Sequence, residues 1–489
     1  MTRNSMLLLA TAAALAGSTL AARAESNSAL LDVLVRKGIL TEKEAAGVQE
    51  EVTTEEKKSS ANKIKLSNSI SELRLYGDVR LRYQYDDKDT QLTNEQGGGS
   101  NVSQRSRWRF RLRLNADFKL GENVFGGVEL QTNQASDSAN QSFENGFDDY
   151  GIFISRAYLG WNVTPWLTVV GGKMPNPFYT TELVWDSDIS PTGLAESIAF
   201  HKIWGSHEEV STGGFSKDGK SVAPSAPEPS PWELTLNAGQ FIFDDNNEFN
   251  GPDNDSSTDA YLFHTQIVST YRFSKALSLT VAPGWMTYIN GSVTGAASDG
   301  GLFNENDFSD IAGVSGATRN LNVLLLPGDL SFKVAGIKTK FFWDFAYNLD
   351  GRKRVEEIYN VVDRINIGDD PDDRQAHSPQ DNFAYLVGLQ LGENKKAGDW
   401  SVAASWRQTG LGAVDPNIND SDFAGAELNT RGFKLGLNYN FTDFAVGTIT
   451  YANAWNVRGD LFGGQATGGN AVADANSHQL LQVDLTVKF

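Results

Sequence analysis

Five arginines stand at alternate positions in one short stretch: Arg105, Arg107, Arg109, Arg111 and Arg113. A spacing of two puts side chains on one face of a β-strand. At roughly 3.4 Å per residue, five of them cover about 27 Å. Arg80 and Arg82 repeat the spacing upstream, and Arg156, Lys173, Lys338 and Lys340 extend the basic set. A face of guanidiniums can attract oxyanions, or it can pair with carboxylates such as Asp78, Asp117 and Glu129. Other chemistry is thinly represented. There are five histidines (His201, His207, His264, His377, His478), none in a G-x-S-x-G or H-E-x-x-H context. No catalytic residue, metal site or cofactor is therefore expected, and a barrel-embedded enzyme is the rival class. The acidic runs Asp244–Glu248 and Asp369–Asp373 lack the ligand spacing of a calcium-binding loop and read as solvated loops. The chain has no cysteine, so disulfides and thiolate metal sites are excluded. With 42 basic and 61 acidic residues its formal net charge is -19, which argues against a nucleic-acid partner.

Strands of alternating polarity carry these arginines. Trp108, Phe110, Leu112, Leu114, Ala116 and Phe118 interleave with the arginine row, giving one apolar and one charged face. From Leu73 onward such segments predict an all-β chain of sixteen strands (eighteen as the alternative) in eight hairpins. The strands are 73–85, 105–118, 123–133, 151–163, 166–173, 198–204, 232–243, 260–273, 277–288, 321–336, 338–349, 383–392, 400–408, 430–441, 444–455 and 477–489. Short turns (119–122, 164–165, 274–276, 442–443) mostly alternate with long acidic or Gly/Asn-rich loops. The long loops are 86–104, 134–150, 244–259, 290–319, 350–382, 409–429 and 457–476. That alternation is the pattern of transmembrane antiparallel β-barrels. The long, Pro/Ser-rich 205–231 connection breaks it and reads as an insertion.

Upstream, Arg3, an apolar run from Met6 to Gly17 and Ala22-Arg23-Ala24 make a signal peptide expected to span 1–24. Residues 25–72 are expected to be a short periplasmic helical segment and linker, with Thr41 and Glu44 as a capping box. The barrel would occupy 73–489. Five arginines turned to lipid would cost roughly 2–4 kcal/mol each near the bilayer midplane, so the charged face must line the lumen. A one-residue slip would also turn Trp108 to Leu114 into water, so the register is fixed. The last strand alternates Leu481, Val483, Leu485, Val487 and Phe489 with Gln482, Asp484, Thr486 and Lys488. It resembles the insertion signal read by the barrel-assembly machinery, and it should partner 73–85 to close the barrel.

Two stretches carry a family resemblance: Leu30–Glu51 (LLDVLVRKGILTEKEAAGVQEE) leading into LYGDVRLRY, and Gly171–Ala195 (GGKMPNPFYTTELVWDSDISPTGLA). The sequence resembles the putative porin family and is more distantly similar to phosphate-selective porins. The resemblance implies a barrel of about sixteen strands in the outer membrane of a Gram-negative-type bacterium. It further implies passive diffusion of small hydrophilic solutes and ions, outer-membrane lipid as surroundings, and a homotrimer. The loop after Lys173 carries Glu182, Asp186, Asp188 and Glu196. It is expected to fold inward and set these carboxylates against the basic wall, narrowing the pore. Three readings of the wall stay open. In one it sits across from the acidic loop and sets up a transverse field, in another it is a ladder for phosphate-like anions, and in the third it holds the wall together by ion pairing. A purely structural membrane protein would conduct nothing.

Overall fold

The computed structural model describes residues 35–37, 41, 43–45, 47–48, 66–92, 99–135, 138–143, 145–147, 149–204, 230–244, 260–289, 320–356, 378–458 and 475–489. The expected signal peptide and almost all of the 205–231 insertion lie outside the described residues. The chain divides into two compact units, residues 1–74 with 118–125, and residues 75–117 with 126–489. In the first unit the expected capping box is present. The Thr41 backbone N–H donates to Glu44 Oε2 (2.8 Å), and the Glu44 N–H donates to Thr41 Oγ1 (3.3 Å). Nearby in that unit, Lys119 pairs with Glu72 at 2.6 Å. No helix among the described residues is long and apolar enough to cross a membrane.

The described residues form a closed antiparallel barrel of sixteen strands. They are β1 (Ile70–Leu92), β2 (Gly99–Leu120), β3 (Val124–Thr132), β4 (Ile152–Thr164), β5 (Leu167–Lys173), β6 (Thr192–Ala199), β7 (Trp232–Asp244) and β8 (Ala260–Ser274). Then follow β9 (Leu277–Val281, resuming at Gly284–Ile289), β10 (Asn322–Leu325, resuming at Gly328–Val334), β11 (Ile337–Asn348) and β12 (Phe383–Gly392). The last four are β13 (Trp400–Thr409), β14 (Thr430–Asn440), β15 (Ala445–Asn456) and β16 (Ala475–Lys488). The expected closing pair forms: β1 meets β16 antiparallel, with Arg82 opposite Asp484 and Leu81 opposite Leu485. Phe489 and Gly77 exchange both backbone hydrogen bonds, at 2.9 and 3.0 Å.

Alternation sorts the two faces as the sequence requires. Leu75, Leu81, Trp108, Leu435 and Leu485 are exposed on the outside, while Arg82, Gln84, Arg111, Gln482 and Asp484 are buried inside. An outward apolar and inward polar barrel is the arrangement that lipid demands. Large exposed aromatics such as Phe273, Trp400, Tyr439, Phe444 and Phe489 gather near the short turns. That is where a headgroup-level aromatic belt is found.

Several boundaries differ from expectation. The sixth strand is Thr192–Ala199 instead of 198–204, and Phe200–Trp204 forms a short helix, α1. Much of the expected 86–104 loop is strand, because the ladder with β16 continues through Thr90 opposite Ala475. Polar side chains do not end a strand that still has a hydrogen-bonded neighbour. The strands expected at 277–288 and 321–336 are each broken near a proline, Pro283 and Pro327. Proline has no N–H to give the ladder. The gaps lie side by side, and Ala282 N–H donates to the Pro327 carbonyl at 2.9 Å.

Candidate functional site

The connection from β5 to β6, residues 174–191, enters and leaves through glycines. Gly172 (φ +114°) and Gly193 (φ +149°) bring strand backbone so close that a Cβ would meet the carbonyls of Ala157 and Gln240 at 2.5 and 2.2 Å. Met174 N–H to Pro191 O (2.9 Å) closes the loop base. The loop turns inward because it is apolar. Met174, Phe178, Leu183, Val184, Trp185 and Ile189 are all buried, against Phe241 of β7, Leu262 of β8, Met286 of β9 and Leu386 of β12. Each such side chain is worth roughly 1.5–3 kcal/mol when fully buried. Polar bonds fix its register. Tyr179 backbone and the Gln266 amide exchange two bonds of 2.8 Å, and Thr181 Oγ1 donates to Asp344 at 2.7 Å.

A second connection does the same, and the sequence reading placed it outside. The stretch 409–429 reads from sequence as a long outer loop; Thr409 instead ends β13, and in the connection to β14 Leu411, Val414, Ile418 and Leu428 are buried in the same cluster. The two loops are tied to each other. Asp186 N–H donates to Ile418 O at 2.6 Å, Asp420 N–H to Glu182 O at 3.2 Å, and Ser421 N–H to Asp186 Oδ2 at 3.3 Å. Lys434 of β14 clamps the joint, 2.7 Å from Glu182 and 3.0 Å from Asp420. The ledge thus holds Asp186, Asp188, Asp420 and Asp422. Burial, with Asp420 beside it, pushes the Asp186 carboxyl up to about 8.

Facing the ledge across a cavity of about 610 Å³ are Arg80, Arg111 and Arg113, with Asn438 and Thr448 farther round the wall. The wall meets the loops where Arg113 lies 3.5 Å from Asp188 and Arg82 lies 3.6 Å from Asp422. The arginines are not equivalent. Arg82 grips Asp484 with two bonds of 2.7 and 2.8 Å. Asp78 accepts from Arg111 at 2.6 and 2.9 Å and from Arg113 at 3.0 Å. Arg107 lies 3.7 Å from Asp86. Arg156 lies 3.5 Å from Glu129 and donates to Ser190 of the loop at 2.8 Å. Arg80 and Arg109 donate to neutral acceptors, the Asn140 side chain and the Asn140 backbone carbonyl.

Of the residues singled out from sequence, Arg80, Arg111, Arg113, Asp186 and Asp188 converge on the cavity. Arg105 is exposed, and Lys173 ends β5 without lining the cavity. Lys338 pairs with Glu393 in the exposed turn region, and Lys340 lies 3.8 Å from Asp329. Two acidic residues are not where they were expected. Glu182 turns to Lys434, away from the arginines. Glu196 is not in the loop at all: it stands on β6 between Val169 and Ala238 and accepts from Gln240 at 3.1 Å. The sequence reading missed Asp420, Asp422, Ser138 and Asn140. The apolar residues interspersed at 411, 414, 418, 423 and 428 were the available signal for an inward loop. Among the described residues, no group of three or more His, Asp or Glu is placed to hold a metal ion.

A closed barrel with an apolar exterior, a polar interior and loops folded into that interior defines the class: a β-barrel pore. The chain belongs to the putative porin family, whose sequence model matches residues 10–310 and 329–489. Among solved structures it is similar to Salmonella typhi OmpF in complex with daunomycin, at 12% identity and TM-score 0.40, over 87% of this chain and 99% of that one. It is also similar to a triple mutant of Rhodopseudomonas blastica porin, at 11% identity and TM-score 0.39, over 86% and 100% of the two chains. No curated protein matches the chain. Family and fold point to a channel rather than an enzyme.

Proposed function

We propose that this porin sits in the outer membrane of a Gram-negative-type bacterium and passes small hydrophilic solutes and ions by passive diffusion. The observation that carries the reading is the cavity between Arg80, Arg111 and Arg113 on one side and Asp188, Asp420 and Asp422 on the other, with Asp186 beside them. Opposed charges produce a field across the path, which orients dipolar solutes and excludes apolar ones. The pairing of Arg82, Arg111, Arg113 and Arg156 with carboxylates supports a second role for the row, holding the wall together. It speaks against an uninterrupted anion ladder over all five alternate arginines. Signal-peptide export, insertion by the barrel-assembly machinery and a homotrimer complete the proposal. Planar-bilayer recording tests it: stepwise ion conductance with weak ion preference is expected. A purified, folded protein that conducts nothing would refute the reading.

A further inference from the structure

We infer that the uncharged part of the cavity wall, built on β12 to β15, is a subsite for a neutral polyhydroxylated solute of the saccharide class. The inference rests on the reading of the protein as a pore and names one class of its solutes.

The division of the cavity is the first observation. Its charged groups stand on β1, β2 and the two inward loops, with Lys488 at the end of β16. From β12 to β15 the polar lining is Gln390, Asn394, Ser401, Asn438 and Thr448, and no charged side chain joins them. Strand register sets them in a row: Ser401 stands opposite Asn438, and Asn438 opposite Thr448. With neighbouring strands about 4.8 Å apart, that row runs roughly 10 Å across the wall. Ala403, opposite Gln390, and Val446 complete this part of the lining with small apolar surfaces.

Hydrogen bonding is the second. Thr448 Oγ1 donates to Asn438 Oδ1 at 2.7 Å, and Asn438 Nδ2 donates to Ser401 Oγ at 3.2 Å. Ser401 Oγ donates in turn to Asn394 Oδ1, and Asn394 Nδ2 to Asn440 Oδ1 at 3.0 Å. Every link points the same way around the wall. Each link fixes the side chain before it, so little freedom is left to lose when a solute binds. The chain does not exhaust its members. A primary amide has two N–H donors and two lone pairs, so Asn438 and Asn394 each retain one donor and one acceptor position toward the cavity side of the network. Gln390 adds a further amide. Each hydroxyl of a saccharide also donates and accepts, so neighbouring hydroxyls match neighbouring amides. Ala403 and Val446 offer contact to the C–H face of a sugar ring. A charged solute group is drawn instead to the arginines and aspartates across the cavity, where hydrogen bonds are charge-assisted. The volume of about 610 Å³ lies within the range of small-molecule sites. Water competes for the same groups, so the affinity is on the order of 1 mM or weaker, which lets the solute leave.

Influx of labelled D-glucose into proteoliposomes tests the subsite, with protein-free vesicles as the background and ion conductance measured on the same preparation. Influx should saturate with glucose concentration in the millimolar range, and unlabelled glucose should compete. Asn438→Leu and Gln390→Met should each raise the half-saturating concentration about 2- to 10-fold, the loss for a neutral hydrogen bond. Lys353→Gln, exposed and outside the cavity lining, should leave it unchanged. Barrel formation in each variant is checked by the resistance of the folded form to detergent at room temperature. Ion current with glucose influx that stays linear through the millimolar range would overturn the inference and leave the pore reading standing. Saturation unaltered in both folded variants would do the same. Absence of any ion current would defeat the pore reading, and this inference with it.

Discussion

Asp78→Asn keeps the shape of the wall and removes one negative charge from beneath two guanidiniums. The carboxylate takes bonds of 2.6 and 2.9 Å from Arg111 and 3.0 Å from Arg113. At charge separations near 4 Å and an effective dielectric of about 20, each pair is worth roughly 4 kcal/mol before desolvation. Measured losses on breaking one partner of a buried pair run at about 3–5 kcal/mol. Here the figure is reduced. Arg113 is about a quarter exposed and keeps Asp188 at 3.5 Å, and the asparagine oxygen can still accept one bond. A loss of about 3 kcal/mol is therefore expected. Urea unfolding of the barrel in lipid vesicles, followed by tryptophan emission, measures it. The same change should move the reversal potential under a salt gradient toward anion preference. Adding Arg113→Gln should recover part of both losses, because it removes one of the stranded charges. A variant within about 0.5 kcal/mol of the parent, an ordinary surface effect, and with an unchanged reversal potential, would show that the pairing at Asp78 neither holds the wall nor sets its field.

Trp185 is buried among the loop residues and donates its indole N–H to Ile189 O at 3.0 Å. Trp185→Ala should cost about 3–5 kcal/mol locally, loosen the ledge, and raise single-channel conductance and its noise. With the Asp186 carboxyl raised to about 8, the folded protein holds a proton that the unfolded chain has lost, so its contribution to stability falls as pH rises through that value. The cation-to-anion permeability ratio should rise from pH 7 to 9 as the ledge gains a charge, and Asp186→Asn should abolish that rise. At Gly77 a Cβ would lie 2.3 Å from the Arg113 carbonyl oxygen and 2.9 Å from the Phe489 ring. Gly77→Val should therefore cost at least 1–3 kcal/mol, about the usual price of overpacking, and reduce the yield of detergent-resistant barrel. Leu389→Arg places a cation on the exposed apolar face, at up to about 2–4 kcal/mol, whereas Gln390→Arg places it in the cavity wall. Folding yields in lipid vesicles should fall for the first alone.

The fold was legible because its strongest signals are local and repeat with period two. Trp108 to Phe118 against Arg105 to Arg113 fixes which face meets lipid. The pairing of Leu481–Phe489 with the first strand then follows from closure, and Arg82 stands opposite Asp484 as that register requires. What failed was local in another way. The sixth strand, Thr192–Ala199, has a weak alternation, and the more apolar Ile198–Trp204 drew the assignment downstream, where a short helix stands. Pro283 and Pro327 were absorbed into continuous strands because alternation continues on both sides of each.

The site was half legible for a reason that belongs to barrels. Residues of the wall are ordered by strand register, so Arg80, Arg111 and Arg113 could be placed from sequence. Residues of the ledge are ordered by how loops pack, and packing couples segments far apart in the chain. Asp186 could be proposed as a constriction carboxylate, but its neighbour Asp420 comes from a connection more than two hundred residues later. Besides the hydrogen bonds, apolar packing joins them: Trp185 and Ile189 of one loop share a buried cluster with Val414 and Ile418 of the other. Loop composition, read as acidic and Gly/Asn-rich, hides this. A soluble outer loop has no reason to carry aliphatic side chains at 411, 414 and 418, since exposing each would forfeit roughly 1.5–3 kcal/mol. Those residues make the second loop an inward one. They also set the cavity to one side: the apolar cluster fills the side of the lumen under β7 to β12. The cavity lies on the other side, lined by Arg80, Arg111 and Arg113.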